Sequence, residues 1–300
     1  MQSFLPFLGE ALSLLTAITW ALAVTLFRKS GETVHPLALN TFKNILALLL
    51  LIPTIWLFGH TIWYGTSPRA YIILFISGAV GIGIGDTLFF HALNRLGAGL
   101  TGLVVCMYSP FIITFSHIWL SENLAKIQLV GALLIISAVL LTSLRRKRST
   151  VVPAHTWLSG IIFGILASAA MAAGVVLMKP LLASHPVAWV AEIRLLGGMT
   201  ALVLIFSFYP SRKKIVASLL NTRNWHYTLG GSFMGAYLSM LLWIGGMKHT
   251  LASTASALNQ TSTIFIFIFA GLFLKEPMTL RRTIAISLAF AGAFLVSFFR

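Results

Sequence analysis

Charged residues are scarce in this chain, and acidic residues are the scarcest of all. Only 9% of the 300 residues are charged and 58% are hydrophobic, whereas a soluble globular domain has about 25% charged residues. This composition excludes an ordinary water-soluble fold. Of the six acidic residues, only Asp86 and Glu192 lie inside apolar segments. No two acids have the spacing of a catalytic pair.

Cysteine and nucleotide-binding motifs are also nearly absent. The single cysteine, Cys106, cannot form an internal disulfide. The sequence has no glycine-rich phosphate loop and no nucleophile elbow. His91 follows Asp86 by five residues, which is not the same-face spacing of metal ligands on a helix. We therefore expect no cofactor, no metal site and no catalytic residue, and an energy source other than ATP.

The chain does contain ten long apolar segments. Each is long enough to cross a hydrocarbon core of ~30 Å at a helical rise of ~1.5 Å per residue. The connections are too short for a soluble domain, and the N-terminus lacks the basic region and cleavage site of a signal peptide. We predict an all-α integral membrane protein with ten transmembrane helices in the lipid bilayer. The segments lie near 8–27, 37–58, 70–93, 97–121, 125–144, 158–178, 187–209, 226–247, 250–274 and 279–299.

The basic residues collect in the loops of one side. A net charge of +15 would suggest nucleic acid in a soluble protein, but bases in short loops between apolar runs indicate membrane topology instead. Alternate loops carry fourteen bases on one side and five on the other. Because Lys and Arg collect on the cytoplasmic side, we expect both termini on the non-cytoplasmic side of the inner or plasma membrane, and no nucleic-acid partner.

Self-comparison shows an internal duplication. A shift of 154 positions aligns 81–143 with 235–297 and matches Gly81 to Gly235 and Glu122 to Glu276. A shift of 150 positions matches His35-Pro36 to His185-Pro186. We predict a five-helix repeat over 1–144, a basic loop over 145–157 and a second repeat over 158–300. Since five is odd, the two repeats have opposite orientations in the membrane.

Inverted repeats are typical of secondary transporters, in which the two copies rock about a site near the bilayer midplane. A membrane-embedded enzyme has no comparable need for this symmetry and would need convergent acids, a metal cluster or an exposed nucleophile at one membrane face. A structural or receptor-like protein is the other alternative, and the duplication has no evident purpose there. The pattern favours a transporter with a small-molecule substrate, and a monomer is compatible with it.

Two segments also resemble a known family. The run GDTLFFHALNRLGAGLTGLV at 85–104, followed by Ser109-Pro110 and by LSE at 120–122, resembles the EamA repeat of the drug/metabolite transporter superfamily. So does LASTASALNQTSTIFIFIFAGLFLKEPMT at 251–279. The resemblance extends over the whole chain. It implies a two-repeat carrier of ten helices whose cavity is lined mainly by the first, third, fourth, sixth, eighth and ninth helices.

The resemblance further implies export of amino acids or related metabolites. An uptake permease of the same fold, for a nucleotide-like or other solute, is the alternative. The chain departs from the family pattern in two ways. The second copy has no proline in 259–264, where the first copy has Pro110 in 105–110. The proton-coupling glutamate of the related small multidrug transporters is also replaced, by Trp20 or Ala21 in the first copy and by Met171 in the second.

Asp86 is the first candidate for chemistry, because a carboxylate inside an apolar helix suggests function. Lys43 lies at a matching depth from the same membrane side, so the two can pair. The pair has either a gating or proton-coupling role, or only a structural one. Arg194 is a candidate anchor for a substrate carboxylate or phosphate. The alternative for Arg194 is that its side chain extends to the outer membrane interface.

Polar residues halfway along the fourth and ninth segments are the remaining candidates. They occupy equivalent places in the two copies, which suits a solute site between the repeats. Hydrogen bonding between helices, worth ~0.6 kcal/mol per contact, is the alternative explanation. Two tryptophans can face the same cavity, although such aromatics more often pack or anchor. These substrate-binding candidates are Tyr108, Ser109, Asn259, Gln260, Trp20 and Trp243.

Overall fold

A computed structural model gives the fold, and it describes residues 7–57, 59, 65–120, 126–143, 154–182, 184–250, 255 and 258–298. Within these ranges the regular structure is helical throughout, with no β-strand. Three sequence predictions fall at least partly on residues outside these ranges. They concern Glu122, most of the basic loop over 145–157, and the two chain ends that bear on topology.

Within the described ranges, ten long helical stretches follow the order of the apolar segments. Seven of them, α1 to α4 and α6 to α8, are long and apolar enough to cross a membrane, while α5 and α9 contain shorter apolar stretches. The predicted all-helical, multi-pass membrane fold is therefore confirmed. The helices are α1 (Leu8–Ser30), α2 (Pro36–Leu57), α3 (Pro68–Leu96), α4 (Ala98–Trp119), α5 (Lys126–Ser143), α6 (Ala154–Leu182), α7 (Val187–Ser207), α8 (Trp225–His249), α9 (Leu258–Leu274) and α10 (Leu280–Phe298).

A short helix that the sequence analysis did not predict joins α7 to α8. This connecting helix, Arg212–Leu220, has a basic first turn and one buried side chain, Ile215. Helix α6 begins at Ala154, so residues 154–157 of the predicted inter-repeat loop are helical. Both differences lie at the ends of apolar segments, where charged residues obscure the helical pattern.

Two helices widen locally into π-helix at matching places. The π-helical segment of α3 is Ala79–Gly85, and that of α8 is Phe233–Leu238. A shift of 154 positions superimposes the first residues of both segments. Wide turns of this kind are rare and frequently occur at functional sites.

Helices α4 and α9 are interrupted at equivalent positions of the two halves, α4 near its middle and α9 in its first turn. In α4 the α-helical pattern stops at Cys106 and Met107, whose N–H groups donate to carbonyls three residues earlier. In α9 it stops at Thr261, whose N–H donates to the Leu258 carbonyl at 3.1 Å. The interruptions give both helices a tight turn at the level of the candidate polar residues.

The long helices pack across the two halves of the chain. Helix α1 packs on α8 and α9, α6 packs on α3 and α4, and α5 packs on α10. Glycine allows the closest approach, because the backbone of α3 at Gly78 lies directly against the Arg194 carbonyl of α7. This contact brings the Arg194 side chain to the centre of the bundle.

Candidate functional site

A cavity of about 190 Å³ lies at the centre of the bundle. Its wall includes all six helices that the family resemblance implies, and α2 and α7 complete it. An engineered cavity of ~150 Å³ accepts benzene, so this space suits a small solute. The polar side chains that line it are Thr16, Lys43, Asn44, Asp86, Tyr108, Arg194, Ser239 and Asn259.

The predicted pairing of Lys43 with Asp86 is present. Lys43 Nζ lies 2.7 Å from Asp86 Oδ2 and also donates to Asn44 Oδ1 at 2.9 Å. The Lys43 side chain is 5% exposed and that of Asp86 15% exposed. Because an isolated buried charge is costly in this low-dielectric setting, each of the two charges offsets the desolvation cost of the other.

Asn40 connects this ion pair to the π-helical segment of α3. Its amide nitrogen donates to the carbonyl oxygens of Ile82, at 3.1 Å, and Gly83, at 3.3 Å, and to the Thr87 hydroxyl. Its amide oxygen accepts a hydrogen bond from Asn44 at 3.0 Å. Buried carbonyls need such partners, so α2 holds the π-helical segment and the ion pair in one polar network. Asn40 and Asn44 were not candidates in the sequence analysis, although their spacing from Lys43 places all three on one face of α2.

Arg194 is buried, with 4% of its surface exposed. Its Nε donates to Ser77 Oγ at 3.0 Å, and Ser77 Oγ in turn donates to the Gly174 carbonyl at 2.6 Å. The guanidinium carbon lies 6.0 Å from the centre of the Trp243 ring, the outer limit of a cation–π contact. The side chain therefore faces the cavity and does not extend to the membrane interface.

The two basic side chains of the cavity wall differ in whether an acidic side chain neutralises them. Lys43 is neutralised by Asp86, whereas Arg194 forms no ion pair with any residue that the structure describes. Asn259 contributes a buried amide oxygen that has no hydrogen-bond partner among these residues. The wall thus offers a cationic donor and a free acceptor. Over the same described ranges, no three His, Cys, Asp or Glu side chains are placed to hold a metal ion.

Aromatic rings pack next to the cavity, toward the carboxyl end of α3. Trp20 lines the cavity, and its ring centre lies 5.8 Å from that of Phe89. Phe89 packs on Phe90 at 5.6 Å, and Phe90 packs edge-on against Phe27 at 5.0 Å. The three phenylalanines are at most 2% exposed, so they form a packed layer beside Trp20.

The structure brings most of the predicted site residues to one place. Seven of the nine candidates line the cavity, and Ser109 and Gln260 do not. Ser109 is buried beside the interruption of α4, and Gln260 lies next to that of α9. The residues that line the cavity are Trp20, Lys43, Asp86, Tyr108, Arg194, Trp243 and Asn259.

Comparison with known proteins places this arrangement in a family. The EamA-like transporter family matches the chain over residues 7–144 and again over 158–298. An uncharacterized transporter of Archaeoglobus fulgidus is 24% identical over 90% of this chain and 91% of its own length. Protein PecM of Dickeya dadantii is 25% identical over 74% of this chain and 72% of its own.

Two further comparisons agree. A WAT1-related protein of Arabidopsis thaliana is 20% identical over 88% of this chain and 80% of its own length. A solved crystal structure with 17% sequence identity has a TM-score of 0.68 and covers 96% of this chain and 95% of that one, which shows a common fold. The names of the family and of the Archaeoglobus fulgidus relative indicate a transporter and not an enzyme. The chain belongs to the EamA-like transporter family.

Proposed function

We propose that this protein is a secondary transporter that moves a small polar or amphipathic metabolite, such as an amino acid or a related solute, across the membrane. One observation carries the proposal: the wall of a central cavity combines a buried ion pair and two tryptophans with the buried Arg194, which has no acidic partner among the described residues. A protein that only spans the membrane would gain nothing from burying these charges, which are costly there.

The proposed mechanism is alternating access between two inverted repeats with ten membrane spans. Three observations support it. The family matches the chain twice in succession. The π-helical segments and the interrupted turns lie at equivalent positions of the two halves. Each half also provides the packing surface for the first helix of the other, so a rocking motion would rearrange α1 against α8 and α6 against α3 together.

The polar groups suit different parts of such a substrate. Arg194 would bind an anionic group, because a guanidinium forms strong charge-assisted hydrogen bonds with carboxylate or phosphate. The Asn259 amide oxygen would accept a hydrogen bond from the substrate, and Tyr108 would add a hydroxyl. Trp20 and Trp243 would flank its apolar part. Ser109 and Gln260 would act at the interrupted turns during the conformational change, without touching the substrate.

The Lys43–Asp86 pair is our candidate for coupling. Asp86 lines the cavity, so proton binding there would release Lys43 and change the charge of the wall. Its equivalent in the second half is Met240, which also lines the cavity and cannot titrate. Among the described residues that line the cavity, Asp86 is therefore the one carboxylate that could respond to a proton gradient.

Counterflow in proteoliposomes tests the proposed function directly. Vesicles with the purified protein are preloaded with pools of unlabelled amino acids, nucleosides or nucleotide-linked solutes, and uptake of trace labelled solute is followed. We expect counterflow with an amino-acid pool and none in protein-free vesicles. Counterflow with nucleotide-linked solutes alone would instead favour a permease of the same fold for a nucleotide-like solute. Absence of counterflow with every pool would contradict a carrier of these metabolites.

The proposal also includes the topology: both termini lie on the non-cytoplasmic side of the inner or plasma membrane. The unequal distribution of bases between alternate loops supports it. A cysteine in place of Ser149 should react only with reagent added from the cytoplasmic side, and one added after Arg300 only from outside. The reverse labelling would overturn the orientation.

A further inference from the structure

A glutamate of the second half of the chain binds the first turn of α4, a helix of the first half. Glu276 Oε1 accepts a hydrogen bond from the Ala98 N–H at 2.7 Å, and Oε2 accepts one from the Gly99 N–H at 3.1 Å. The N–H groups of a first helical turn have no partner within their own helix and carry a partial positive charge. The carboxylate therefore makes two charge-assisted hydrogen bonds to α4. This contact is the Glu276 clasp.

The backbone on both sides of the clasp is shaped for it. At the end of α9, Lys275 has a φ of 54°, and the Glu276 N–H donates to the Ala270 carbonyl at 3.1 Å, a helix-ending turn that directs the chain back over the helix. Before α4, Gly97 has a φ of 81° and provides no side-chain cap. Helices are usually capped by the side chain of the residue that precedes them, whereas α4 takes its cap from the other half of the chain.

The clasp lies where α4 and α9 pack directly against each other. A methyl group on Gly99 would lie 4.0 Å from Ala270 Cβ, and Ala270 is 1% exposed. Ala270 also belongs to the same buried apolar cluster as Phe89 and Phe90, whose layer lies next to the central cavity. The clasp therefore fastens the two halves together at the end of the cavity toward the carboxyl end of α3.

Glu276 has a second partner that belongs to its own half. Arg282 Nη1 lies 3.8 Å from Glu276 Oε2 and donates to the Pro277 carbonyl at 3.1 Å. A carboxylate that releases α4 keeps this cation beside it, which lowers the cost of release. Glu276 can thus exchange one set of partners for another, as a two-state element requires.

We propose that Glu276 is a gating residue of the transport cycle. Its carboxylate holds this end of the carrier closed by binding α4, and it releases α4 when this end opens. The inference rests on the proposed alternating access, in which the two halves move against each other. Because the clasp joins the two halves, opening at this end has to break it. The carboxylate then pairs with Arg282, and the first turn of α4 is exposed to water.

Alkylation of a buried cysteine measures this opening without transport. Ala270→Cys is introduced with Cys106→Ala, so that the thiol beneath α4 is the only one in the protein. We expect Glu276→Gln to raise its rate of alkylation about tenfold or more, because the amide loses the charge-assisted hydrogen bonds. The control Glu32→Gln removes the same charge from an exposed pair with Lys29 and should change the rate about twofold or less. An unchanged rate in Glu276→Gln, with melting that shows a folded protein, would overturn the proposal.

A disulfide across the clasp distinguishes a gate from a static helix cap. The Cβ atoms of Gly99→Cys and Ala270→Cys would lie 4.0 Å apart, within the range of a disulfide. In the Cys106→Ala protein, we expect oxidation of this pair to slow counterflow about tenfold or more and reduction to restore it. Undiminished counterflow in the fully linked protein would show that α4 and α9 stay together through the cycle, and would overturn the gate.

Failure of the gate and failure of the proposed function give different results. Counterflow absent from the reduced protein and from its Cys106→Ala parent would count against transport of these metabolites. The alkylation rates would then still decide whether Glu276 holds this end closed, since they need no substrate. Counterflow that is present and insensitive to the disulfide leaves the transport function intact and removes the gate alone.

Discussion

Lys43 on α2 and Asp86 on α3 form a buried ion pair, with Nζ 2.7 Å from Oδ2, on the wall of the central cavity. The pair ties two helices of the first half together at the point where α3 leaves its π-helical segment. Its stability and its role in coupling can be separated by experiment.

The first prediction concerns stability. Asp86→Asn should lower the melting temperature of the purified protein, because Lys43 is left charged and unpaired at a cost of ~3 kcal/mol or more. The double variant Asp86→Asn/Lys43→Met should recover most of this loss, since it removes both charges. A single variant that melts like the original protein would show that the pair does not stabilise the fold.

The second prediction concerns coupling and uses the same double variant. If Asp86 carries the proton, the double variant should exchange substrate across vesicles but fail to accumulate it when a pH gradient is imposed. Exchange needs only the loaded carrier to reorient, whereas accumulation needs the titrating group. Recovery of both stability and pH-driven accumulation would assign the pair a structural role alone.

The third prediction compares two glycines on one face of α3. A methyl group on Gly78 would collide with the Arg194 backbone carbonyl, whereas at Gly81 the nearest atom outside α3 is 3.5 Å away. Gly78→Ala should therefore separate α3 from α7, displace Arg194 and destabilise the protein by about 1–3 kcal/mol. Gly81→Ala should change the melting temperature little. Similar melting of the two variants would contradict the close approach of α3 and α7.

Part of the site could be predicted from the sequence. Acidic and basic residues are so rare in the apolar segments that their depth could be compared directly, and this comparison predicted the pairing of Lys43 with Asp86. The burial of Arg194 could not be predicted in the same way. Two residues apart on α7, Glu192 and Arg194 point in different directions, and the packing of α7 against α2 and α3 decides that Arg194 faces the cavity.

The π-helical segments and the interruptions of the helices were not predicted from the sequence either. The π-helical segment at 79–85 has the sequence AVGIGIG, which contains no local signal for a wide turn. Two of its carbonyls, those of Ile82 and Gly83, accept hydrogen bonds from Asn40 on another helix, so a contact that is distant in sequence stabilises this wide turn. The sequence feature that could have indicated this contact is a polar stripe on α2, formed by Asn40, Lys43 and Asn44 at helical spacing.

The most direct measurement is the effect of Arg194→Gln on counterflow, with Arg69→Gln as the control. Arg69 is an exposed arginine near the start of α3, away from the cavity. The proposed function predicts that Arg194→Gln folds, because Gln can still donate to Ser77, but exchanges an anionic or zwitterionic solute about tenfold or more slowly at low concentration. Arg69→Gln should stay within about twofold of the original protein. Undiminished counterflow in a folded Arg194→Gln variant would contradict the assignment of the central cavity as the substrate site.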